Sequence, residues 1–160
     1  MSNQFKSEGI NFRAMGTDVS AEIIIKNFKD KERSKKALLS VRKFFEKNEK
    51  IFSRFQEDSE LSKLNNNLGK EVKVSPQMSE VLELCLKFHK ISEGYFDPRI
   101  MVNLEKIGYD RDFRSHNLNQ PQEKEIIFEN ISGDLKNDLK LNASKQTALT
   151  RRRIDTTGIA

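Results

Sequence analysis

The sequence is poor in the residues that support several specialised classes of protein. It contains one cysteine, Cys85, and no tryptophan, and a single thiol excludes an intrachain disulfide and a zinc site built from several cysteines. No apolar run approaches the roughly 20 residues that cross a bilayer, and the first residues, polar apart from Met1 and Phe5, lack the hydrophobic stretch of a secretory signal. We therefore expect a cytoplasmic protein without a membrane segment.

Charge of neither sign is concentrated along the chain. The 29 Lys and Arg residues and 24 Asp and Glu residues give a formal net charge of +5, and the two signs are interleaved over most of the sequence. The one tight basic cluster in the sequence is Arg151-Arg152-Arg153, near its last residue. Because a nucleic-acid interface needs basic residues gathered on one face, we expect no nucleic-acid partner.

The length and the supply of large apolar side chains favour a folded protein. A chain of 160 residues with 36% hydrophobic residues, among them 11 Phe, is sufficient for one domain with a hydrophobic core. Disordered chains lack apolar side chains in this number and spacing. We therefore interpret the sequence as one globular domain.

Hydrophobic spacing and capping residues predict a hairpin followed by helices in the first part of the chain. The hairpin pairs residues 10–13 with residues 19–26, a long helix runs from an N-cap at Asp30 to about Lys50, a short helix follows Asp58-Ser59, and a further helix starts at Ser75-Pro76 and ends at Gly94. The last of these carries an apolar stripe that we expect to be buried. Its members are Met78, Val81, Leu82, Cys85, Phe88 and Ile91. We interpret Cys85 as an inert core residue and the neighbouring His89 as an ordinary surface or boundary residue.

The second part of the chain is predicted to contain more strands. A short strand is expected at residues 72–74, a helix at Pro98 to Lys106, a polar loop at Arg114 to Pro121, and strands at Glu125 to Ile131, Asp138 to Asn142 and Ala148 to Ile154. Together the elements predict an α+β fold in which a mixed or antiparallel sheet is covered by the two longer helices.

Three short segments combine residue types that suit a flat aromatic ligand. In the first, Met15 places a flexible apolar side chain beside a glycine at a tight turn. In the second, Phe52 and Phe55 surround the end of a helix, although each by itself would be assigned to the core. In the third, Gly94-Tyr95-Phe96-Asp97-Pro98, the two aromatic rings can stack on a heterocycle. Asp97 can cap a helix or accept hydrogen bonds from a ligand, and both interpretations stay open.

These segments belong to a series of five blocks with a family resemblance. In chain order they are Phe12-Arg13-Ala14-Met15-Gly16-Thr17, Phe52-Ser53-Arg54-Phe55 with Asp58-Ser59-Glu60-Leu61-Ser62-Lys63-Leu64-Asn65, Gly94-Tyr95-Phe96-Asp97-Pro98, Leu104-Glu105-Lys106-Ile107-Gly108-Tyr109-Asp110, and Ile154-Asp155-Thr156-Thr157-Gly158-Ile159-Ala160. The series resembles the ApbE family of FAD:protein FMN transferases, whose domain is related to the T-fold. The blocks extend from near the first residue to the last.

The resemblance implies an enzyme that binds FAD and a divalent cation, usually Mg²⁺. Such an enzyme transfers the FMN part of FAD to a threonine hydroxyl of an acceptor flavoprotein and releases AMP. By resemblance, Met15 and Phe55 contact the flavin. The FAD site is also expected to include Tyr95, Phe96, Asp97 and Asp155, and the main-chain carbonyl of Gly158 corresponds to a metal ligand. The resemblance identifies no catalytic residue in this sequence.

The sequence also departs from the family pattern. Phe55 stands where the family often has tyrosine, and Thr157 precedes Gly158 where the family commonly has two glycines. The Lys-Gly pair expected after Ala160 is absent, and so is the C-terminal half that carries the Asp and Thr of the metal site. We therefore expect residues 1–160 to be the N-terminal portion of one ApbE-like domain, inactive alone. Two alternatives remain, namely a relative that binds flavin or hydrolyses FAD, and a noncatalytic interaction remnant.

Overall fold

The computed structural model describes residues 6–26, 28–109 and 126–160. The predicted loop from Arg114 to Pro121 lies outside these residues. The described elements form the predicted α+β fold, with strands that pair antiparallel in two sheets. The chain divides into two compact units, residues 1–49 and residues 50–160.

The first unit contains a long hairpin and most of a long helix. Strand β1 (Lys6–Ala14) pairs with β2 (Thr17–Ile25), and helix α1 spans Lys31–Phe52. Every second side chain of β1 from Ile10 onward is at least partly buried, as expected for a strand with one covered face. The rings of Phe12 and Phe45 meet edge-to-face at 5.6 Å, so the predicted packing of α1 on the hairpin is confirmed. Phe44, which precedes Phe45 in α1, is exposed.

The second unit combines short helices with a three-stranded sheet. Its elements are α2 (Glu60–Asn65), β3 (Val72–Lys73), α3 (Pro76–Ile91), α4 (Met101–Lys106), β4 (Leu139–Asn142) and β5 (Thr147–Thr150), with single 3-10 turns at Pro98–Ile100 and Leu135–Asn137. The strand order is β3-β5-β4. The core combines the end of α1 with side chains from α2, α3, the turn before β4, the sheet and the chain after it. Its fully buried members include Leu61, Leu64, Met78, Leu82, Leu135, Leu139 and Ile154.

Helix α3 begins as its sequence predicts. Ser75 is the N-cap and its hydroxyl accepts a hydrogen bond from the Met78 N–H at 3.2 Å, while Pro76 occupies the first helical position, where no N–H is needed. Cys85 is fully buried in the core. Burial, with the nearby charge of Asp155, raises the pKa of Cys85 to about 12. Its interpretation as an inert core thiol is therefore supported.

The prediction that Phe88 and Ile91 are buried at the end of the α3 stripe is wrong. Phe88 is 43% exposed and Ile91 is 64% exposed, whereas His89, which was predicted to be a surface or boundary residue, is buried. The buried line runs through Met78, Leu82 and Cys85 to position 89 at intervals of four and three residues. His89 can occupy it because both ring nitrogens have backbone partners, so burying the imidazole leaves no polar atom unsatisfied.

Two strand predictions also need correction. Residues 126–131 form no strand, because side chains of α4 supply partners for this segment's backbone. Asn103 bonds both the N–H and the carbonyl of Glu129, and Lys106 donates to the Ile127 carbonyl. Strand β5 ends at Thr150 instead of Ile154. Beyond it, the Ile154 backbone is bonded by a side chain instead of a strand.

Across the described part of the chain, no helix combines the length and the apolar character that crossing a membrane requires.

Candidate functional site

Met15 lies at the tip of the β1–β2 hairpin. Ala14 pairs with Thr17, so Met15 and Gly16 form a two-residue turn with φ angles of 54° and 73°. Glycine adopts this left-handed conformation freely, whereas a non-glycine residue adopts it at a cost of about 1–3 kcal/mol. The Met15 N–H donates to Glu49 Oε1 at 2.9 Å, and the residue is 36% exposed. The first unit therefore presents the thioether on a defined turn.

Phe55 lies in the loop between α1 and α2 in the second unit. Ser59 is the N-cap of α2, and its hydroxyl accepts from the Ser62 N–H at 3.0 Å and donates to the Ser53 carbonyl at 2.5 Å. The Phe55 N–H donates to Ser53 Oγ at 3.2 Å. These local bonds hold the loop close to the start of α2 and leave Phe55 39% exposed.

Arg54 connects Phe55 to two distant parts of the second unit. Its guanidinium carbon lies 4.5 Å from the centroid of the Phe55 ring and 4.2 Å from that of Tyr109. The two rings meet edge-to-face at 5.9 Å. Arg54 Nη2 donates to the Tyr109 carbonyl at 2.7 Å, and Nε lies 3.4 Å from Asp155 Oδ2. The structure thus brings together two predicted site residues, Phe55 and Asp155, through an arginine between them.

Asp155 is held in place mainly through backbone bonds. The Asn65 side chain donates to the Ile154 carbonyl and accepts from the Ile154 N–H, both at 2.9 Å. The Asp155 N–H donates to the Pro98 carbonyl at 2.7 Å. Asp155 Oδ1 accepts from the N–H and the hydroxyl of Thr157 at 2.8 and 2.5 Å. The other oxygen, Oδ2, is therefore the one that faces Arg54.

The segment with Tyr95 and Phe96 follows the end of α3. Gly94 adopts a φ of 88°, which turns the chain away from the helix, and the Phe96 N–H donates to Ser92 Oγ at 2.9 Å. Tyr95 is 96% exposed, whereas Phe96 packs against the core. A Cβ atom at Gly158 would lie 3.2 Å from Phe96 Cε2, so these two predicted site residues also lie together.

Asp97 caps the 3-10 turn Pro98–Ile100 and pairs with Arg99. Its carboxylate accepts four hydrogen bonds from the backbone and side chain of Arg99, at 2.6 to 3.2 Å. Burial opposes ionisation of Asp97, but the bonds and charge of Arg99 prevail, so the Asp97 pKa lies below its usual range. Asp138 also pairs with Arg99, at 2.7 Å. Of the two interpretations of Asp97, capping is confirmed and a ligand contact stays a prediction.

A cavity of about 660 Å³ opens beside Asp97 and Arg99, with Lys90 and Lys136 also in its wall. His89 lies in this wall and joins two segments. Its Nδ1 is 3.0 Å from the Phe96 carbonyl, and its Nε2 accepts from the Leu135 N–H at 3.4 Å. Phe55 and Tyr95 do not line the cavity. Asp97 therefore lines this cavity and the exposed rings of Phe55 and Tyr95 do not, and a common cavity for Met15 and Phe55 stays a prediction.

Gly158, whose carbonyl is the predicted metal ligand, lies in a turn near the last residue. In the described residues, no group of three or more His, Cys, Asp or Glu side chains is placed to hold a metal ion. Mg²⁺ gives up its water reluctantly and prefers octahedral oxygen coordination, which one carbonyl cannot supply. These residues do not by themselves fit a magnesium ion, and the role of Gly158 stays a prediction.

Arg54, Tyr109 and Arg99 organise the site, but the sequence did not predict these roles. Arg54 and Tyr109 both lie in the blocks that carry the resemblance, but their meeting joins positions 55 residues apart and has no local signal. Arg99 directly follows the Asp97-Pro98 pair. An aspartate two residues before an arginine at a helix start is a sequence signal that could have predicted the Asp97–Arg99 ion pair.

The fold is that of solved ApbE structures. An ApbE protein from Thermotoga maritima matches with a TM-score of 0.68 at 18% identity, over 98% of this chain and 48% of that chain. The flavin transferase ApbE from Vibrio cholerae matches with a TM-score of 0.69 at 16% identity, over 96% and 49%. The apo flavinyl transferase ApbE from Pseudomonas stutzeri matches with a TM-score of 0.66 at 16% identity, over 98% and 51%. The chain thus spans about half the length of these proteins.

The family assignment comes from the sequence. Residues 15–160 match the model of the ApbE family. The chain therefore belongs to the ApbE family. A comparison with curated proteins gives no significant match.

Proposed function

We propose that this protein acts as an FAD:protein FMN transferase. The observation that carries the proposal is the ApbE family match over residues 15–160. It is supported by the similarity in fold to proteins named as flavin transferases from Vibrio cholerae and Pseudomonas stutzeri. The substrates are FAD and a threonine of an acceptor flavoprotein. We further propose that residues 1–160 are the N-terminal portion of one ApbE-like domain, since they correspond to about half of each relative.

The proposed reaction is a phosphoryl-group transfer. The threonine hydroxyl oxygen forms a bond to the phosphorus on the FMN side of the pyrophosphate. The bond between that phosphorus and the bridging oxygen breaks, the hydroxyl proton is lost to a base, and AMP leaves with the bridging oxygen. Such a reaction depends mainly on positioning and on stabilising charge at the phosphate oxygens.

The second unit has features that suit the flavin end of FAD. Phe55 and Tyr95 expose aromatic surface that can stack on a heterocycle. One buried polar atom next to Asp155 in the chain, Thr156 Oγ1, has no hydrogen-bond partner among the described residues. Buried polar atoms are usually satisfied, so this unused bonding capacity favours a polar ligand nearby. The residues present therefore fit FAD, which would supply the FMN group.

The magnesium dependence is a separate part of the proposal. Since the described residues do not form a set of metal ligands, we assign no step to an ion. The proposed dependence rests on the family alone.

The activity is tested with the full-length protein as the cell produces it. The protein is incubated with FAD, Mg²⁺ and a flavoprotein acceptor, and products are analysed by mass spectrometry. We expect FMN on the acceptor threonine and one AMP per modification, both abolished when the acceptor threonine is replaced by alanine. AMP and free FMN with an unmodified acceptor would instead identify an FAD hydrolase. If the protein neither binds FAD nor forms a product, the result would favour the noncatalytic interaction remnant.

The flavin site is tested by FAD titration of matched variants. Phe55→Ala removes a ring at the predicted site, and Phe44→Ala removes an exposed ring of α1 outside the motif blocks. We expect about tenfold weaker FAD binding for Phe55→Ala, in line with the loss of one stacked ring, and no change for Phe44→Ala. Equal affinities for the two variants would remove Phe55 from the site.

A further inference from the structure

Arg54 is an unusual residue in the second unit, because its cationic side chain is almost completely buried with few conventional partners. The side chain is 2% exposed, and that of its ion-pair partner Asp155 is 5% exposed. Its one hydrogen bond in the described residues goes to the Tyr109 carbonyl. Nε makes no hydrogen bond, although Asp155 Oδ2 lies at 3.4 Å. A buried charge with so little hydrogen bonding needs a further source of stabilisation.

Two aromatic rings supply that stabilisation. The guanidinium lies within 4.5 Å of the Phe55 centroid and 4.2 Å of the Tyr109 centroid, well inside the distance at which a cation is attracted to a ring face. In return the planar guanidinium fixes where both rings can lie. Beyond this contact, the described residues hold the exposed Phe55 ring through the edge of Tyr109, a ring that the same guanidinium contacts. Its ring orientation therefore depends on Arg54.

Arg54 also fixes the carboxylate of Asp155. Oδ1 is already bonded twice by Thr157, so the orientation of the carboxylate is set by Thr157 on one side and by Arg54 on the other. The aromatic ring and the carboxylate both belong to the predicted FAD site. One guanidinium thus contacts both groups and determines their separation.

We propose that Arg54 is a positioning residue for flavin binding, which sets the Phe55 ring and the Asp155 carboxylate in the arrangement that accepts the ligand. This inference rests on the proposed function. The role requires the flat face of arginine as well as its charge. Lysine at position 54 would keep the charge beside Asp155 but would have no planar group to lie against the two rings.

The test uses Arg54→Lys and Arg54→Met in a Tyr95→Phe background. Circular dichroism is recorded on the 160-residue chain, in which Tyr95 and Tyr109 are the two tyrosines and tryptophan is absent, so this background leaves Tyr109 as the sole source of the tyrosine near-UV band. Thermal unfolding of the same chain reports whether each variant folds. FAD titration of the full-length protein carrying the same substitutions then measures affinity against the Phe55→Ala variant in the same background.

We expect both variants to fold less stably and to lose most of the Tyr109 band. We also expect both to bind FAD about tenfold more weakly, as Phe55→Ala does, and further loss to be small when Phe55→Ala is combined with Arg54→Lys. If Arg54→Met does not fold, the charge-preserving variant Arg54→Lys alone tests the positioning role. Millimolar guanidinium added to Arg54→Ala should restore part of the band and of the affinity, which a loss of stability alone would not predict.

The outcomes separate this inference from the proposed function. A Tyr109 band and an FAD affinity unchanged in Arg54→Lys would overturn the positioning role. Additive losses for Arg54→Lys and Phe55→Ala would also overturn it, since independent residues do not share one effect. If the unsubstituted full-length protein binds no FAD, the predicted flavin site is wrong, and so is the ligand part of this inference. The Tyr109 circular dichroism band would still show whether Arg54 orders the rings.

Discussion

Replacing Asp97 by asparagine removes one charge from a buried ion-pair network while keeping the shape of the side chain. The side chain of Arg99 is 1% exposed and is held by Asp97, by Asp138 and by the Gly133 carbonyl. Asparagine can still accept the Arg99 N–H that caps the 3-10 turn. The substitution therefore isolates the charge of Asp97 from its capping role.

The expected loss follows from the remaining partners of Arg99. Removing the sole partner of a buried charge costs about 3–5 kcal/mol, and a hydrogen bond to a charged group contributes about 1.5–3 kcal/mol. Because Asp138 still pairs with Arg99 at 2.7 Å, we expect Asp97→Asn to lower the free energy of unfolding by about 2–3 kcal/mol at pH 7.

The loss should also depend on pH. The Asp97 pKa is lowered in the folded protein, chiefly by Arg99 acting against burial. A carboxylate of this kind stabilises the fold above its unfolded pKa of about 3.9, and the contribution disappears as pH falls through the folded pKa. The difference between wild type and Asp97→Asn should therefore be constant at neutral pH and shrink below about pH 4.

Urea unfolding followed by far-ultraviolet circular dichroism measures both effects, and Asp134→Asn provides the control. Asp134 caps the 3-10 turn Leu135–Asn137 through the Lys136 N–H, but it is exposed. Since asparagine and aspartate cap equally well, this control should change stability by less than about 0.5 kcal/mol. An Asp97→Asn protein as stable as the control, or a difference that stays constant to the most acidic pH, would refute the reasoning.

Three further predictions address the core, the exposed aromatic residue and the metal. Cys85→Ala should cost about 1–2 kcal/mol of stability and leave FAD affinity unchanged, and native Cys85 should react slowly with thiol reagents, so rapid labelling would contradict its burial. Tyr95→Ala should weaken FAD binding several-fold without loss of stability, since Tyr95 is 96% exposed, and unchanged affinity measured by flavin fluorescence would exclude it from the site. The 160-residue chain should bind FAD weakly and equally with Mg²⁺ or EDTA, and should transfer no FMN; metal-dependent flavinylation by it would contradict the conclusion that these residues do not by themselves fit a magnesium ion.

Elements with strong local chemistry were predictable from the sequence. The Ser75-Pro76 pair defines the start of α3, because it acts on the backbone next to it. A hairpin between residues 10–13 and 19–26 was predicted, and the observed turn is the tighter Met15-Gly16 pair, with Thr17 and Asp18 already in β2. The strand predicted at residues 125–131 failed for the opposite reason. The backbone of its described residues is bonded by Asn103 and Lys106, more than 20 positions away, and no local pattern shows that competition.

The candidate site likewise combines residues that the sequence identified with contacts that it could not predict. Resemblance drew attention to Phe55 and Asp155 separately, through the blocks in which they lie. Their connection through Arg54, and the contact of Arg54 with Tyr109, depend on the tertiary fold. From the local sequence, Arg54 would be predicted to lie at the surface. Its burial depends on contacts with Tyr109 and Asp155, which are 55 and 101 positions further along the chain.

The segment around Pro98 joins the ion-pair network to the candidate site. Asp97 faces Arg99 on one side of the proline, and the Pro98 carbonyl accepts the Asp155 N–H on the other. A variant of Asp97 can therefore weaken FAD binding by displacing Asp155, without any contact between Asp97 and FAD. Asp138→Asn separates the two roles, because Asp138 pairs with Arg99 and lies outside the motif blocks. Equal losses of affinity in Asp97→Asn and Asp138→Asn would indicate an effect through Arg99, whereas a larger loss in Asp97→Asn would indicate direct contact with the ligand.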